Sequence, residues 1–231
     1  MRDGWIPRLY ARLYDWLLQF PGVAQVRRDE RQVLLELFDR ELRPEDCVLE
    51  IGSGTGFYTF ELLKRVRQVT AVERSPAMAA VLRQRAQVQG AGNLVIVEGD
   101  FMAFEPPSAP DAVVAIGVLD RLPHPQAFLR RCVVLARRRV IFTLPRRGLA
   151  GSFYAFWSAL GGLQVCRYDE REAAALLPDY RLHCQPAGRV LPGLPALTWA
   201  VCVYCDGEVL ARPPVPSGSA SPTGTEAPSP G

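Results

Sequence analysis

The sequence predicts an α/β fold, a three-layer sandwich with helices on both faces of a mostly parallel sheet. Two observations predict it. From Cys47 onward, short apolar runs of strand length alternate with amphipathic stretches of helical spacing. A glycine-rich turn, Gly52-Ser53-Gly54-Thr55-Gly56, stands where the first apolar run gives way to a helix. Strands alternating with helices build a parallel sheet joined by right-handed crossovers.

The elements follow in order. Residues 6–20 place Ile6, Leu9, Leu13, Leu17 and Phe20 at helical spacing, and Pro21-Gly22 is expected to stop that helix. A second helix is expected from Gln25 to Leu42, ended by Pro44. Cys47–Ile51 is the first strand, followed by a helix over about 56–67 and a strand at Val69–Glu73. Ser75-Pro76 pairs an N-cap with a proline at the first helical position, opening a helix to Gln89. Strands at Leu94–Glu98 and Asp111–Ile116, a helix near 125–136 and a strand at Val140–Thr143 complete the alternation. A helix from Asp169 to Leu177 precedes two closing strands, Tyr180–Gln185 and Leu197–Cys205, which read as a hairpin. That makes seven strands, the last of them antiparallel. The tail beyond Ala211 is Pro, Ser, Gly and Thr, with little to bury, and is expected to be disordered.

Length and composition bound the rest. A chain of 231 residues suits one compact domain. A net charge of +3 does not by itself argue for nucleic acid, and none is expected as a partner. The six cysteines read as reduced, mostly buried thiols. Cys202 and Cys205 have a zinc-like spacing but no second pair, so no metal site is expected. Neither a secretory signal nor a run of about 18 uncharged apolar residues is found, which predicts a cytoplasmic protein without a membrane span. Peripheral membrane contact and oligomeric state stay open.

The informative stretch is Glu50-Ile51-Gly52-Ser53-Gly54-Thr55-Gly56, at the carboxyl edge of the sheet, where open α/β sheets bind ligands. Glycine lets the backbone turn sharply and approach a ligand closely. A dinucleotide fingerprint needs glycine at position 57, which is Phe, and no G-K-S/T follows for a phosphate loop. The pattern is G-x-G-x-G with an acid two residues before it. It resembles the first motif of the class I S-adenosylmethionine-dependent methyltransferases, in a Rossmann-like fold. The order of parts is similar from Cys47 to Thr143.

That resemblance implies S-adenosylmethionine as cofactor and assigns roles. Gly52, Ser53, Gly54 and Gly56 form the cofactor loop, and Glu50 lies near the methionine amino group. Glu73, with Arg74 beside it, ends the second strand where the family binds the ribose hydroxyls. Asp100 and Phe101 stand where the adenine amino group and ring are contacted, and Ile116 and Gly117 line the methionine side. On a bland reading Glu50 is a capping or salt-bridged acid.

The acceptor is less directly written. The strand-four motif of the nitrogen-methylating DNA and protein-glutamine enzymes, Asn/Asp-Pro-Pro-Tyr/Phe, is absent. The chain looks like the branch holding the ubiquinone/menaquinone-biosynthesis and magnesium-protoporphyrin enzymes, which implies a small, hydrophobic or lipid-associated acceptor. Asp120-Arg121 replace two histidines of that branch, making Asp120 the candidate base or orienter; otherwise it is a surface pair or turn cap. Tyr10, Tyr14, Phe153 and Trp157 are candidate substrate residues, with core packing as the alternative. The expected organisation is N-terminal helices over 1–45 capping the site, a methyltransferase domain over 46–208 with a substrate-cap insertion near 146–168, and a disordered tail over 209–231. Alternatives to a small-molecule acceptor are protein, RNA, or a non-catalytic subunit role.

Overall fold

The computed structural model describes residues 21–122, 124–148, 166–189 and 195–206, without the side chains of residues 21–24 and 121. Helix α1 spans Pro21–Glu41. Pro21 and Gly22 open this helix, and the expected helix over 6–20 that they would stop lies outside the described residues. A proline in the first turn gives up a donor that has no partner there, and its φ suits the helix.

Then follow β1 (Cys47–Ile51), α2 (Thr59–Leu63), β2 (Gln68–Glu73), α3 (Pro76–Gln89), β3 (Leu94–Glu98), β4 (Ala112–Ala115), α4 (Pro125–Leu135), β5 (Arg139–Pro145), α5 (Glu170–Ala175), β6 (Arg181–Ala187) and β7 (Thr198–Tyr204). Single 3-10 turns cover Phe101–Ala103 and Leu119–Arg121. Local chemistry explains several boundaries. Ser75 caps α3 by accepting from Met78 N–H, and left-handed Gly90 ends it. Asp169 and Glu172 form a reciprocal capping box on α5.

The strands form one seven-stranded sheet in the order β3-β2-β1-β4-β5-β7-β6. β1 to β5 run parallel, and β7 is antiparallel to both of its neighbours. The expected mostly parallel sheet with an antiparallel last strand is thus observed. The central strands are buried on both faces, with side chains alternating by twos. Val48, Val114, Ile141 and Cys202 pack under Leu34, Leu37 and Phe38 of α1 and Leu62 of α2. Leu49, Val113, Phe142 and Val201 pack on the opposite face under Leu129, Cys132 and Val133 of α4. Each fully buried Leu, Ile or Phe contributes about 1.5–3 kcal/mol. Among the described residues, no helix is long and apolar enough to cross a membrane.

Two features position the site. Strand order reverses between β1 and β4, opening a crevice beyond their carboxyl ends. Helix α1 spans that region: its Arg31 pairs with Glu61 of α2, while its Asp29 and Glu30 bond Arg189 and Thr198 beside the β6–β7 pair.

Candidate active site

The loop after β1 is held in a left-handed conformation at all three glycines, with φ of 70°, 56° and 93° at Gly52, Gly54 and Gly56. Each glycine answers a different need. A Cβ at Gly52 would lie 2.6 Å from Val118 Cγ2, so its absence lets the loops after β1 and β4 touch. A Cβ at Gly56 would lie 2.5 Å from Leu82 Cδ1 and 2.8 Å from Phe60 Cε2. A Cβ at Gly54 would meet nothing within 4 Å. Gly54 is therefore the point where bare backbone faces open space, as an incoming ligand requires.

Two acids fix this loop. Glu73, at the end of β2, is buried. Its Oε2 accepts from Gly54 N–H at 2.8 Å and its Oε1 from Ser75 N–H at 2.8 Å. Each carboxylate oxygen keeps a second lone pair, enough for a diol. Glu50, in β1, is 4% exposed and accepts from the buried Thr59 hydroxyl at 2.5 Å. Burial raises its pKa to about 7, opposed by the Thr59 hydrogen bond and assisted by the nearby charge of Glu73. Glu50 is thus neither exposed nor ion-paired: it ties the start of α2 beneath the loop.

The other expected residues divide. Ser53 is buried, and its hydroxyl has no hydrogen-bond partner among the described residues. A buried hydroxyl left so is costly unless a ligand completes it. Asp100 is exposed and caps the following turn by accepting from Met102 N–H at 2.8 Å. That turn sends the Phe101 ring into the core against Phe128, with centroids 4.9 Å apart. Phe101 thus offers a ligand its backbone rather than its ring face. Arg74 is exposed. Ile116 is half-buried beneath α1, and the exposed, left-handed Gly117 donates its N–H to Thr143 Oγ1 at 2.9 Å. Asp120 follows in the 3-10 turn, half-buried. Tyr10, Tyr14, Phe153 and Trp157 lie outside the described residues.

Sequence reasoning did not single out Thr59, Thr143 or Glu30, whose partners are distant in the chain. Cys202 is buried and Cys205 half-buried. Burial pushes their thiols up to about 12 and about 11, so both stay protonated at neutral pH.

The architecture has solved counterparts. Magnesium protoporphyrin IX methyltransferase from Synechocystis, solved with bound SAH, superposes with a TM-score of 0.65 at 17% identity, covering 79% of this chain and 86% of that one. The 23S rRNA methyltransferase ErmE superposes with a TM-score of 0.54 at 25% identity, covering 79% and 71%. The chain has the class I methyltransferase fold. The sequence model of the ribosomal RNA adenine dimethylase family matches residues 30–126. The rRNA adenine N-6-methyltransferase of Saccharopolyspora erythraea is 41% identical over 87 residues, which are 38% of this chain and 22% of that protein. The chain spans about a quarter of the length of such curated relatives.

These matches agree with the expectation of an S-adenosylmethionine-dependent methyltransferase and correct the expectation about its acceptor. A quinone-type branch, with a small-molecule acceptor and no nucleic acid, was expected. The matched family model and the Saccharopolyspora relative are those of rRNA adenine enzymes. The physical reason for the error is that composition reports the whole surface. A net charge of +3 says nothing about how arginines are arranged around one crevice.

Proposed function

We propose that the chain binds S-adenosylmethionine over the loop Gly52–Gly56 and transfers its methyl group to the exocyclic amino group of an adenine in RNA. The observation that carries the acceptor is the match of residues 30–126 to the ribosomal RNA adenine dimethylase family. The fit of the cofactor rests on the open side of Gly54, the buried hydroxyl of Ser53 and the carboxylate of Glu73.

In this reading Glu73 accepts from the ribose hydroxyls and Asp100 from the adenine amino group of the cofactor. Glu50, Ile116 and Gly117 border its methionine end. The bound cofactor supplies an activated methyl on a sulfonium. The protein holds the acceptor nitrogen in line with that methyl, and orientation supplies much of the rate. Strand β4 runs into Ala115-Ile116-Gly117-Val118, none of which has a polar side chain to receive an amine hydrogen. That task falls to groups around the crevice, with Asp120 the candidate on the β4 side.

The test is direct. Purified protein is titrated with S-adenosylmethionine by calorimetry, then incubated with radiolabelled cofactor and unmodified ribosomal RNA, and the RNA is digested to nucleosides. Binding followed by label in N6-methylated or dimethylated adenosine is expected. Absence of binding overturns the whole reading. Binding without label in adenosine overturns the acceptor alone.

A further inference from the structure

Helix α1 brings the half-buried Glu30 to the carboxyl edge of the sheet. Glu30 Oε1 accepts from Thr198 Oγ1 at 3.1 Å. Thr198 begins β7 opposite Pro145, the last residue of β5, so Glu30 stands at the carboxyl edge of the sheet. On the same edge, Thr143 of β5 receives the Gly117 N–H from the end of β4. Two inter-strand spacings, about 10 Å, therefore separate Gly117 from the Glu30 side. Among the described residues Glu30 forms no ion pair and its Oε2 accepts no hydrogen bond, so one oxygen is held and the other is available. A carboxyl serving only to anchor α1 would be redundant, because Asp29 next to it already accepts from Arg189 N–H at 3.0 Å.

We propose that Glu30 receives the proton of the acceptor amine during methyl transfer. This rests on the amine-methylation reading above. The nitrogen lone pair forms the new bond to the methyl carbon, and the carbon–sulfur bond breaks with its electron pair staying on sulfur. The methylated nitrogen loses one N–H proton to Glu30 Oε2, and the electrons of that bond remain on nitrogen. Oε1 stays anchored on Thr198, which fixes the direction of Oε2.

The surroundings suit a base. Burial holds the Glu30 carboxyl above its ordinary range, with Asp120 and Asp29 acting in the same direction and Thr198 and Arg27 opposing. A carboxylate so raised is the stronger proton acceptor. Arg27 also lies over the Phe57 ring, 4.7 Å from its centroid, so its charge is shared with that ring.

The test compares wild type, Glu30→Gln and Glu30→Asp for thermal unfolding, S-adenosylmethionine affinity, RNA affinity and single-turnover methyl transfer from pH 5 to 9. Glu30→Gln is expected to slow transfer about 100-fold, to leave cofactor affinity within error and the unfolding temperature no lower than in wild type, and to abolish the acid limb of the pH–rate profile. Glu30→Asp is expected to restore that limb and part of the rate. Equal transfer by wild type and Glu30→Gln overturns the role of Glu30 and leaves the amine reading standing. A rate loss accompanied by a lower unfolding temperature or weaker cofactor binding makes Glu30 structural and likewise overturns it. Wild type that binds cofactor but labels no RNA overturns the amine reading, and the role of Glu30 with it.

Discussion

Replacing Glu50 by Gln should make the protein more stable at neutral pH while weakening the cofactor site. The Glu50 carboxyl is buried and has a pKa of about 7 in the fold against an ordinary 4.5. Because the folded form holds the proton more tightly, its stabilising contribution is complete below about pH 4.5. It is lost as pH rises through about 7. A shift of two to three units corresponds to roughly 3 kcal/mol between those limits. Gln keeps an oxygen that can accept from Thr59 Oγ1, as Glu50 does at 2.5 Å, and it carries no charge to bury. Urea unfolding at half-unit steps from pH 4.5 to 8 checks this. Glu30, whose carboxyl is also raised, titrates in both proteins and cancels in the difference. The two curves should coincide near pH 4.5 and diverge to about 3 kcal/mol by pH 8. Parallel curves would refute the claim that Glu50 is buried and protonated near neutrality. Calorimetry at pH 8 should show at least a tenfold loss of S-adenosylmethionine affinity, about 1.4 kcal/mol.

Four further outcomes follow from the structure. Gly56→Ala should unfold about 4–10 °C lower, since left-handed strain and an overpacked contact with Leu82 and Phe60 together cost about 2–4 kcal/mol. Gly54→Ala, which meets only open space, should cost about 1–2 kcal/mol of stability yet lose cofactor affinity out of proportion, and a normal affinity would mislocate the ligand. Glu73→Gln turns an amide N–H toward the N–H of Gly54 or Ser75, so thermal unfolding should report a loss of about 1–3 kcal/mol along with weaker binding. Arg138→Ala strips the buried Asp46 of a two-pronged partner at 2.6 and 2.8 Å, at the edge of the sheet away from the site. It should cost about 3 kcal/mol in urea unfolding and leave S-adenosylmethionine affinity unchanged.

What was legible in the sequence is what short-range chemistry decides. Ser75-Pro76 specified the start of α3 because a cap and a first-turn proline act within four residues. Gly52, Gly54 and Gly56 were readable because all three occupy backbone conformations that side chains disfavour. The number of strands and the antiparallel last one followed from alternation and the late hairpin. The inward turn of the Phe101 ring was not legible, because it depends on Asp100 capping a turn that rotates the ring onto Phe128. Thr59 under Glu50, Thr143 under Gly117 and Thr198 on Glu30 have no local signature. Each matters through a residue 9, 26 or 168 positions away.

The site therefore has two halves with different origins. Its cofactor half is written locally, in β1, β2 and the loops after them, and the family match over residues 30–126 covers that half. On the proposed reading its acceptor half is assembled from α1, the end of β4 and the β5–β7 edge, of which β5 and β7 lie beyond residue 126. With no polar side chain where β4 ends, an amine hydrogen must be received from outside that strand. Glu30 lies within the matched stretch and reaches Thr198 outside it, as Gly117 reaches Thr143, so the matched and unmatched parts meet at this edge of the sheet. If the acceptor is an adenine amine, the chemistry of selecting it passes through that junction. Exchanging Glu30 or Thr198 should then alter transfer rate and acceptor choice before it alters cofactor binding.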